Sequence, residues 1–167
     1  MSLILTPRSM QKKSPYTPTE ALDALQKLCS MQEKCPADVI LLLKRWGVGT
    51  EHHGQIISRL KAEKFLDEGR YAAAFVKDKI RFDHWGFIKI NFVLRQKGIP
   101  AAIVSDACKR IGRDEYREMI RKELEKKKKT LKGPSREIWA KLARYGSARG
   151  YEMEYMQEFL DSIGPDE

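Results

Sequence analysis

Three segments that end in glycine recur about 50 residues apart in this chain of 167 residues. They read Leu43-Lys44-Arg45-Trp46-Gly47, Leu94-Arg95-Gln96-Lys97-Gly98 and Leu142-Ala143-Arg144-Tyr145-Gly146. Glycine often follows the last turn of a helix, because it adopts the left-handed conformation without a clash at Cβ. A repeat of this period indicates small units stacked along the chain. We therefore expect each segment to end the middle helix of a three-helix unit.

The predicted units span residues 19–66, 67–112 and 113–164, after a basic, mobile tail at residues 1–18. Apolar residues recur at helical spacing in all three units, and the sequence contains no alternating β-branched run. The predicted fold class is therefore all-α, with three tandem three-helix repeats. Units stacked in line predict an elongated, curved molecule, which we expect to be a monomer. In the third unit, residues 146–150 are expected to add length between the last two helices.

The middle unit has the clearest predicted helix boundaries. Asp67 is placed to open its first helix, because a carboxylate accepts hydrogen bonds from the free amides of the first turn. Gly98 is placed to end the second helix. Pro100 suits the first turn of a third helix, where no backbone N–H is needed.

The middle of the chain contains Leu66-Asp67-Glu68-Gly69-Arg70-Tyr71-Ala72, then Phe75, and later Leu94-Arg95-Gln96-Lys97-Gly98-Ile99. In these residues the chain resembles the RecX regulatory proteins, which modulate the bacterial recombinase RecA. The resemblance extends over roughly residues 19–163. RecX proteins consist of tandem three-helix repeats, so the resemblance implies the same architecture for this chain.

The resemblance also implies a function. It implies a non-enzymatic regulator that binds RecA and RecA–DNA filaments along the filament groove and limits strand exchange, ATP hydrolysis and coprotease activity. Such a protein acts in homologous recombination, DNA repair and the SOS response. The sequence leaves open whether this chain inhibits or assists its recombinase. It also leaves open direct, sequence-independent binding of single- or double-stranded DNA, because a three-helix unit can place a helix in a major groove.

The chain is basic, with 32 Lys and Arg against 23 Asp and Glu, and a formal net charge of +9. This charge favours acidic partners such as nucleic acid or an acidic protein surface. The middle unit holds nine basic and five acidic residues, the largest excess of the three units. In the third unit, glutamates alternate with the basic residues. Its charged stripes are therefore as consistent with an ordinary solvated helix face as with a binding face. The predicted RecA- or DNA-binding residues are Arg70, Lys77, Arg81, Lys89, Arg95, Lys97, Arg121 and Lys122.

The sequence contains no recognisable catalytic or metal-binding pattern. No Ser, Cys or Lys has an identifiable base and orienting partner, and no glycine-rich loop follows a strand. The three cysteines lack zinc-site spacing and are expected to be reduced, partly buried thiols. The adjacent His52 and His53 are expected at the surface, and Trp85 is the tryptophan most expected to be exposed. We therefore predict no enzyme activity, no cofactor and no metal.

The location of the protein is predicted from its apolar segments. The run Leu3-Ile4-Leu5 is too short for a signal peptide. No apolar stretch approaches the ~18 residues of a membrane-spanning helix. We expect a soluble, cytoplasmic protein.

Overall fold

The computed structural model describes residues 15–164 as nine α-helices, without a β-strand in that range. The helices are α1 Pro18–Met31, α2 Pro36–Arg45, α3 Thr50–Ala62, α4 Glu68–Arg81, α5 Phe87–Gln96, α6 Ala101–Lys109, α7 Arg113–Lys128, α8 Ser135–Arg149 and α9 Met153–Asp161. The helices pack mainly within three consecutive trios, α1–α3, α4–α6 and α7–α9. The predicted all-α fold with three three-helix repeats is therefore confirmed.

The limits proposed for the tail and the three units remain our proposal. Residues 1–14 of the predicted tail lie outside the described residues, whereas residues 15–18 contact the first unit. The Tyr16 ring stacks on Trp46 with the ring centroids 4.9 Å apart. Thr17 caps α1, since its hydroxyl accepts a hydrogen bond from the Glu20 amide at 3.2 Å.

Several predicted helix boundaries are confirmed. The Asp67 carboxylate accepts a hydrogen bond from the Arg70 amide at 2.8 Å and so caps α4. Gly47 and Gly98 follow α2 and α5 with φ of 73° and 81°. Both therefore occupy the left-handed region that the sequence pattern required.

The predicted helix end at Gly146 is wrong. Gly146 lies inside α8, which continues to Arg149 and ends at Gly150 with φ of 83°. A Cβ at Gly146 would lie 2.1 Å from Met156 Sδ, so this glycine permits close packing of α8 on α9. Residues 146–149 therefore lengthen α8 and do not form a connection between the last two helices.

The buried apolar side chains of the described residues form two cores. The smaller core belongs to the first unit and contains residues such as Leu25, Leu43 and Leu60. The larger core is continuous through the second and third units, from Val76 on α4 to Leu160 on α9. The last two units therefore share apolar packing, whereas the first unit has a core of its own.

Two predictions about exposed rings are also wrong. His53 is buried, and its Nε2 lies 3.0 Å from the Val48 carbonyl oxygen, where a hydrogen bond satisfies the ring. Trp85 is half-buried and packs edge-on against Phe75, whereas Trp139 is exposed. The three cysteines are free thiols; Cys29 and Cys35 are buried and Cys108 is half-buried, as expected. Within the described residues, no helix is both long and apolar enough to cross a membrane.

The left-handed conformation of Gly98 leads to a stability prediction. Gly98→Val should lower the free energy of unfolding by about 1–2 kcal/mol, because a β-branched residue is strained at positive φ. Gly54→Ala is the matched control, since Gly54 lies within α3 with open space around its Cα. That substitution should be neutral or stabilising by up to ~1 kcal/mol. Chemical denaturation measures both, and equal effects would contradict the assignment of Gly98 as the helix end.

Candidate binding surface

The turn between α4 and α5 is held by the end of α8, and this contact positions the second unit. The Gly86 amide donates a hydrogen bond to the Arg149 carbonyl at 2.7 Å, and the Ile88 amide donates to the Gly150 carbonyl at 3.1 Å. The first amides of α5 and the last carbonyls of α8 have no partner within their own helices. Each set therefore satisfies the other, with the positive end of one helix dipole facing the negative end of the other.

Two buried tyrosines complete this contact, which we call the second joint. The Tyr151 hydroxyl donates to the His84 carbonyl at 2.7 Å. The Tyr116 hydroxyl accepts from the Phe87 amide at 2.8 Å and donates to Glu152 Oε2 at 2.6 Å. Burial raises the pKa of both tyrosines, so they remain neutral donors across the physiological range.

Glycine is required where the two backbones meet. A Cβ at Gly86 would lie 2.0 Å from the Gly150 carbonyl oxygen. A Cβ at Gly150 would lie 2.4 Å from the Lys89 amide nitrogen. Because both obstacles are backbone atoms, no side-chain rotation relieves the clash. The second joint therefore fixes the second and third units as one body.

Lys77 and Arg81, two of the predicted binding residues, lie on the exposed face of α4. With Arg110, at the end of α6, they line a groove of about 420 Å³ between α4 and α6 that we call the basic groove. None of these three cations pairs with a carboxylate among residues 15–164, although Glu115 also lines the groove. Unpaired cations keep their charge available for an anionic partner.

Arg70 and Lys97 have a different environment, because both pair with carboxylates of the first unit. Arg70 Nε lies 2.9 Å from Glu33 Oε1, and Lys97 Nζ lies 2.7 Å from Asp38 Oδ1. We call this contact between the first two units the first joint. These two cations, predicted to face a partner, therefore hold two units of the same chain together.

The Lys97 ammonium is held from two sides at the first joint. It pairs with Asp38 and lies 5.8 Å from the centroid of the Tyr71 ring. Burial alone lowers the pKa of Lys97, but hydrogen bonds to Asp38 and Tyr71 raise it above its ordinary value. Burial and the nearby Asp38 charge raise the pKa of Tyr71 to about 12. Lys97 is therefore charged and Tyr71 neutral at every physiological pH.

Lys89 and Arg95 on α5 contact their own unit. Lys89 Nζ lies 4.2 Å from the centroid of the Trp85 ring, and Lys79 Nζ lies 4.6 Å from the same centroid. This double cation–π contact explains why Trp85 is not freely exposed. Arg95 donates to the Ile99 carbonyl at 3.1 Å, beyond the end of α5.

Arg121 and Lys122 on α7 are neutralised by their own helix. Arg121 binds Glu118 at 2.6 Å and also pairs with Glu125. Lys122 Nζ lies 3.5 Å from the Glu118 carboxylate. The hydrogen bond from Arg121 lowers the pKa of Glu118 to about 2, so these pairs remain charged. Neither Arg121 nor Lys122 is among the residues that line the basic groove.

Sequence reasoning missed several exposed residues of the second unit. The predicted binding residues do not include Arg110, although the pair Lys109-Arg110 at a helix end is visible in the sequence. Phe82, which follows Arg81, is 71% exposed. Ile88 and Phe92 lie one turn apart on α5 and are also exposed. No group of three metal-ligating side chains occurs in the part of the chain that the structure describes.

Comparison with known families identifies the architecture. Profiles of the second and third three-helix domains of RecX match residues 67–107 and 114–160, which together make up more than half of the chain. The chain belongs to the RecX family. The resemblance found in the sequence is thereby confirmed.

Similar RecX proteins come from several bacteria. The regulatory protein RecX of Clostridium tetani is 27% identical over 112 residues, which cover 65% of this chain and 51% of that protein. The RecX of Prosthecochloris aestuarii is 29% identical over 121 residues, covering 72% of this chain and 78% of that protein. The RecX of Chlorobaculum tepidum is 27% identical over 145 residues, covering 87% of this chain and 89% of that protein. The chain thus spans about half the length of the first of these relatives and most of the other two.

Solved RecX structures share this fold. A crystal structure of a regulatory protein RecX superposes with a TM-score of 0.79 at 23% identity, covering 86% of this chain and 73% of that one. The RecX crystal structure from Lactobacillus salivarius superposes with a TM-score of 0.70 at 19% identity, covering 87% of this chain and 93% of that one. The three-helix architecture is therefore that of the RecX structures.

The second joint leads to a prediction about Gly86. Gly86→Ala should destabilise the protein by roughly 1–3 kcal/mol, because the new methyl group overlaps the Gly150 carbonyl oxygen. Gly112→Ala is the control: Gly112 also precedes a helix, α7, and a Cβ there would make an ordinary contact 3.8 Å from Glu115. Its effect should be about 1 kcal/mol or less. Equal melting temperatures for the two variants would show that the backbones do not approach as described.

Proposed function

We propose that this RecX protein is a non-enzymatic regulator that binds RecA and RecA–DNA filaments. Family membership supports the class of partner. The observation that supports the site is the basic groove, whose Lys77, Arg81 and Arg110 are unpaired within residues 15–164. A filament of protein on DNA offers both acidic side chains and phosphates, which such a surface attracts.

The second joint suits this function because it fixes the position of the groove. Lys77 and Arg81 lie one turn apart on α4, and Arg110 approaches from α6. Preorganised charges lose little conformational entropy on binding, so several weak contacts add up to useful affinity. A chain bound along the filament obstructs strand exchange and the conformational steps of ATP hydrolysis. We therefore propose inhibition as its effect on recombinase, ATPase and coprotease activity.

Direct binding of single-stranded DNA is a second candidate function, which the exposed Phe82 favours. Phe82 is 71% exposed and follows Arg81 in the chain. Proteins that bind single strands without sequence preference combine aromatic stacking platforms with nearby cations. Such contacts are compatible with filament binding, because a RecA filament contains DNA.

The basic groove is tested by reversing its charge. Lys77→Glu with Arg81→Glu should weaken inhibition of RecA filament ATPase at least tenfold, because two attractive contacts become repulsive. The helical circular dichroism should not change, since both side chains are exposed. Lys126→Glu with Lys129→Glu is the matched control, with the same change of net charge at exposed positions near the end of the third unit's first helix. The control should weaken inhibition less.

Three outcomes would count against this assignment or redirect it. Equal loss in both double variants would mean that net charge acts diffusely and that the groove is not special. No loss in either variant would place the contact on another surface. Loss of affinity for bare single-stranded DNA with unchanged binding to RecA-coated DNA would favour the second candidate.

A further inference from the structure

The two joints of the chain differ in chemistry. The second joint consists mainly of backbone hydrogen bonds, buried tyrosines and a shared apolar core. Its charged side chains contribute less: Arg149 donates to the Asp83 carbonyl at 2.8 Å, and His84 Nε2 lies 3.9 Å from Glu123 Oε1. The first joint contributes little to that core: of the described first-unit residues, the buried Cys35 and the half-buried Ala37 belong to it. Charge pairs supply most of the polar contacts of the first joint. The stability of the first joint should therefore depend on salt more strongly than that of the second joint.

Within residues 15–164, three ion pairs cross the first joint. Lys97 pairs with Asp38 at 2.7 Å, Arg70 with Glu33 at 2.9 Å, and Lys61 of the first unit with Glu68 at 3.0 Å. The side chains of Lys97 and Asp38 are 31% and 22% exposed, so water and ions reach both. Arg70 is more exposed, and it also donates to the Lys64 carbonyl at 2.9 Å.

Arg70 of the first joint also lies on the same stripe of α4 as Lys77 and Arg81 of the basic groove. Arg70, Lys77 and Arg81 follow one another at seven and four residues along α4, which places them on one stripe of the helix. An anionic surface that binds Lys77 and Arg81 along this stripe meets Arg70 as the next cation on the helix. Glu33 already binds Arg70, so the partner and the first unit compete for the same guanidinium.

We propose that the first joint is an electrostatic latch that an anionic partner opens. In the free protein, Glu33 and Asp38 hold the first unit against Arg70 and Lys97. A partner that presents carboxylates or phosphates along α4 takes Arg70 from Glu33 and so weakens the first joint, and the first unit then moves relative to the other two. The identity of that partner as the RecA–DNA filament rests on the proposed function; the latch itself rests on the ion pairs.

Opening the latch has a structural consequence for binding. A groove of about 580 Å³ lies between α2 and α4 at the first joint, with Leu41, Tyr71 and Phe75 among its lining residues. Leu41 is 63% exposed although apolar. Movement of the first unit widens or closes this groove. The shape of the surface that contacts a filament therefore changes when the filament binds Arg70 of the first joint. The second and third units keep their relative position throughout.

The latch is tested by resonance energy transfer between the first and third units. Dyes are attached through noncanonical amino acids at Ser58 on α3 and Gln157 on α9, both exposed. In the unchanged protein, transfer should shift as NaCl rises from ~0.05 M to ~1 M, because salt screens exposed ion pairs. Addition of the RecA–single-stranded DNA filament at low salt should shift it in the same direction.

Charge variants separate the latch from a general effect of charge. Glu33→Gln with Asp38→Asn should give the high-salt transfer value already at low salt. Glu118→Gln with Glu125→Gln is the matched control, since it removes two paired carboxylates from α7 and should keep the unchanged protein's response. The exchanged pair Asp38→Lys with Lys97→Asp should restore much of the closed value, because the attraction is rebuilt with opposite signs.

The outcomes distinguish the latch from the proposed function. Energy transfer that does not change with salt overturns the latch. So does a Glu33→Gln with Asp38→Asn variant whose transfer at low salt equals that of the unchanged protein. A filament that binds without changing the transfer overturns the partner-driven opening and leaves the proposed function intact. Failure of the unchanged protein to bind the filament overturns the proposed function, and the salt titration with the exchanged pair still decides whether the latch exists.

Discussion

The contact between the first amides of α5 and the last carbonyls of α8 determines how this chain is assembled. Helix ends carry backbone groups without partners, and water usually satisfies them. Here Gly86 and Ile88 of one unit bind Arg149 and Gly150 of the next, and the tyrosines beside them exclude solvent. Hydrogen bonds in such a setting are strong, and breaking them would leave several groups buried and unsatisfied. The second and third units therefore behave as one body that presents the basic groove.

The first joint is held mainly by ion pairs between side chains, and not by backbone hydrogen bonds. Its charged groups are partly solvated, so each ion pair contributes modestly and responds to ionic surroundings. The same chain thus combines a rigid body, suited to holding cations in place, with an attached unit held by exchangeable charges. Family membership gives the RecX architecture, and the pairing of Arg70 and Lys97 with the first unit gives it a means of responding to an anionic partner.

Local rules explain which features could be predicted from the sequence. Asp67 and Gly98 act through their own neighbours in the chain, so a helix start and a helix end were readable without tertiary information. Gly146 could not be read in the same way, because its role is set by Met156 on the next helix. His53 was misplaced for a similar reason: the carbonyl that satisfies its ring becomes visible only once the loop is folded.

The binding surface also depends on contacts between distant segments, which sequence patterns do not reveal. Charge stripes identify which cations share a helix face, and Lys77 and Arg81 were found in this way. Spacing does not reveal that Arg70 is bound by a glutamate 37 residues away, or Lys97 by an aspartate 59 residues away. Arg110 joins the groove from another helix, so no pattern within α4 could have indicated it.

The central claim, that the second and third units form one body through backbone hydrogen bonds, is tested most directly by amide hydrogen exchange. Nuclear magnetic resonance resolves the amides of Gly86 and Ile88, which lie at a helix start and would otherwise exchange quickly. If the joint exists, both amides should be as protected as the core amide of Ile90, slowed by on the order of 10³ or more. Exchange of Gly86 and Ile88 at the rate of an exposed turn, with Ile90 protected, would contradict the account.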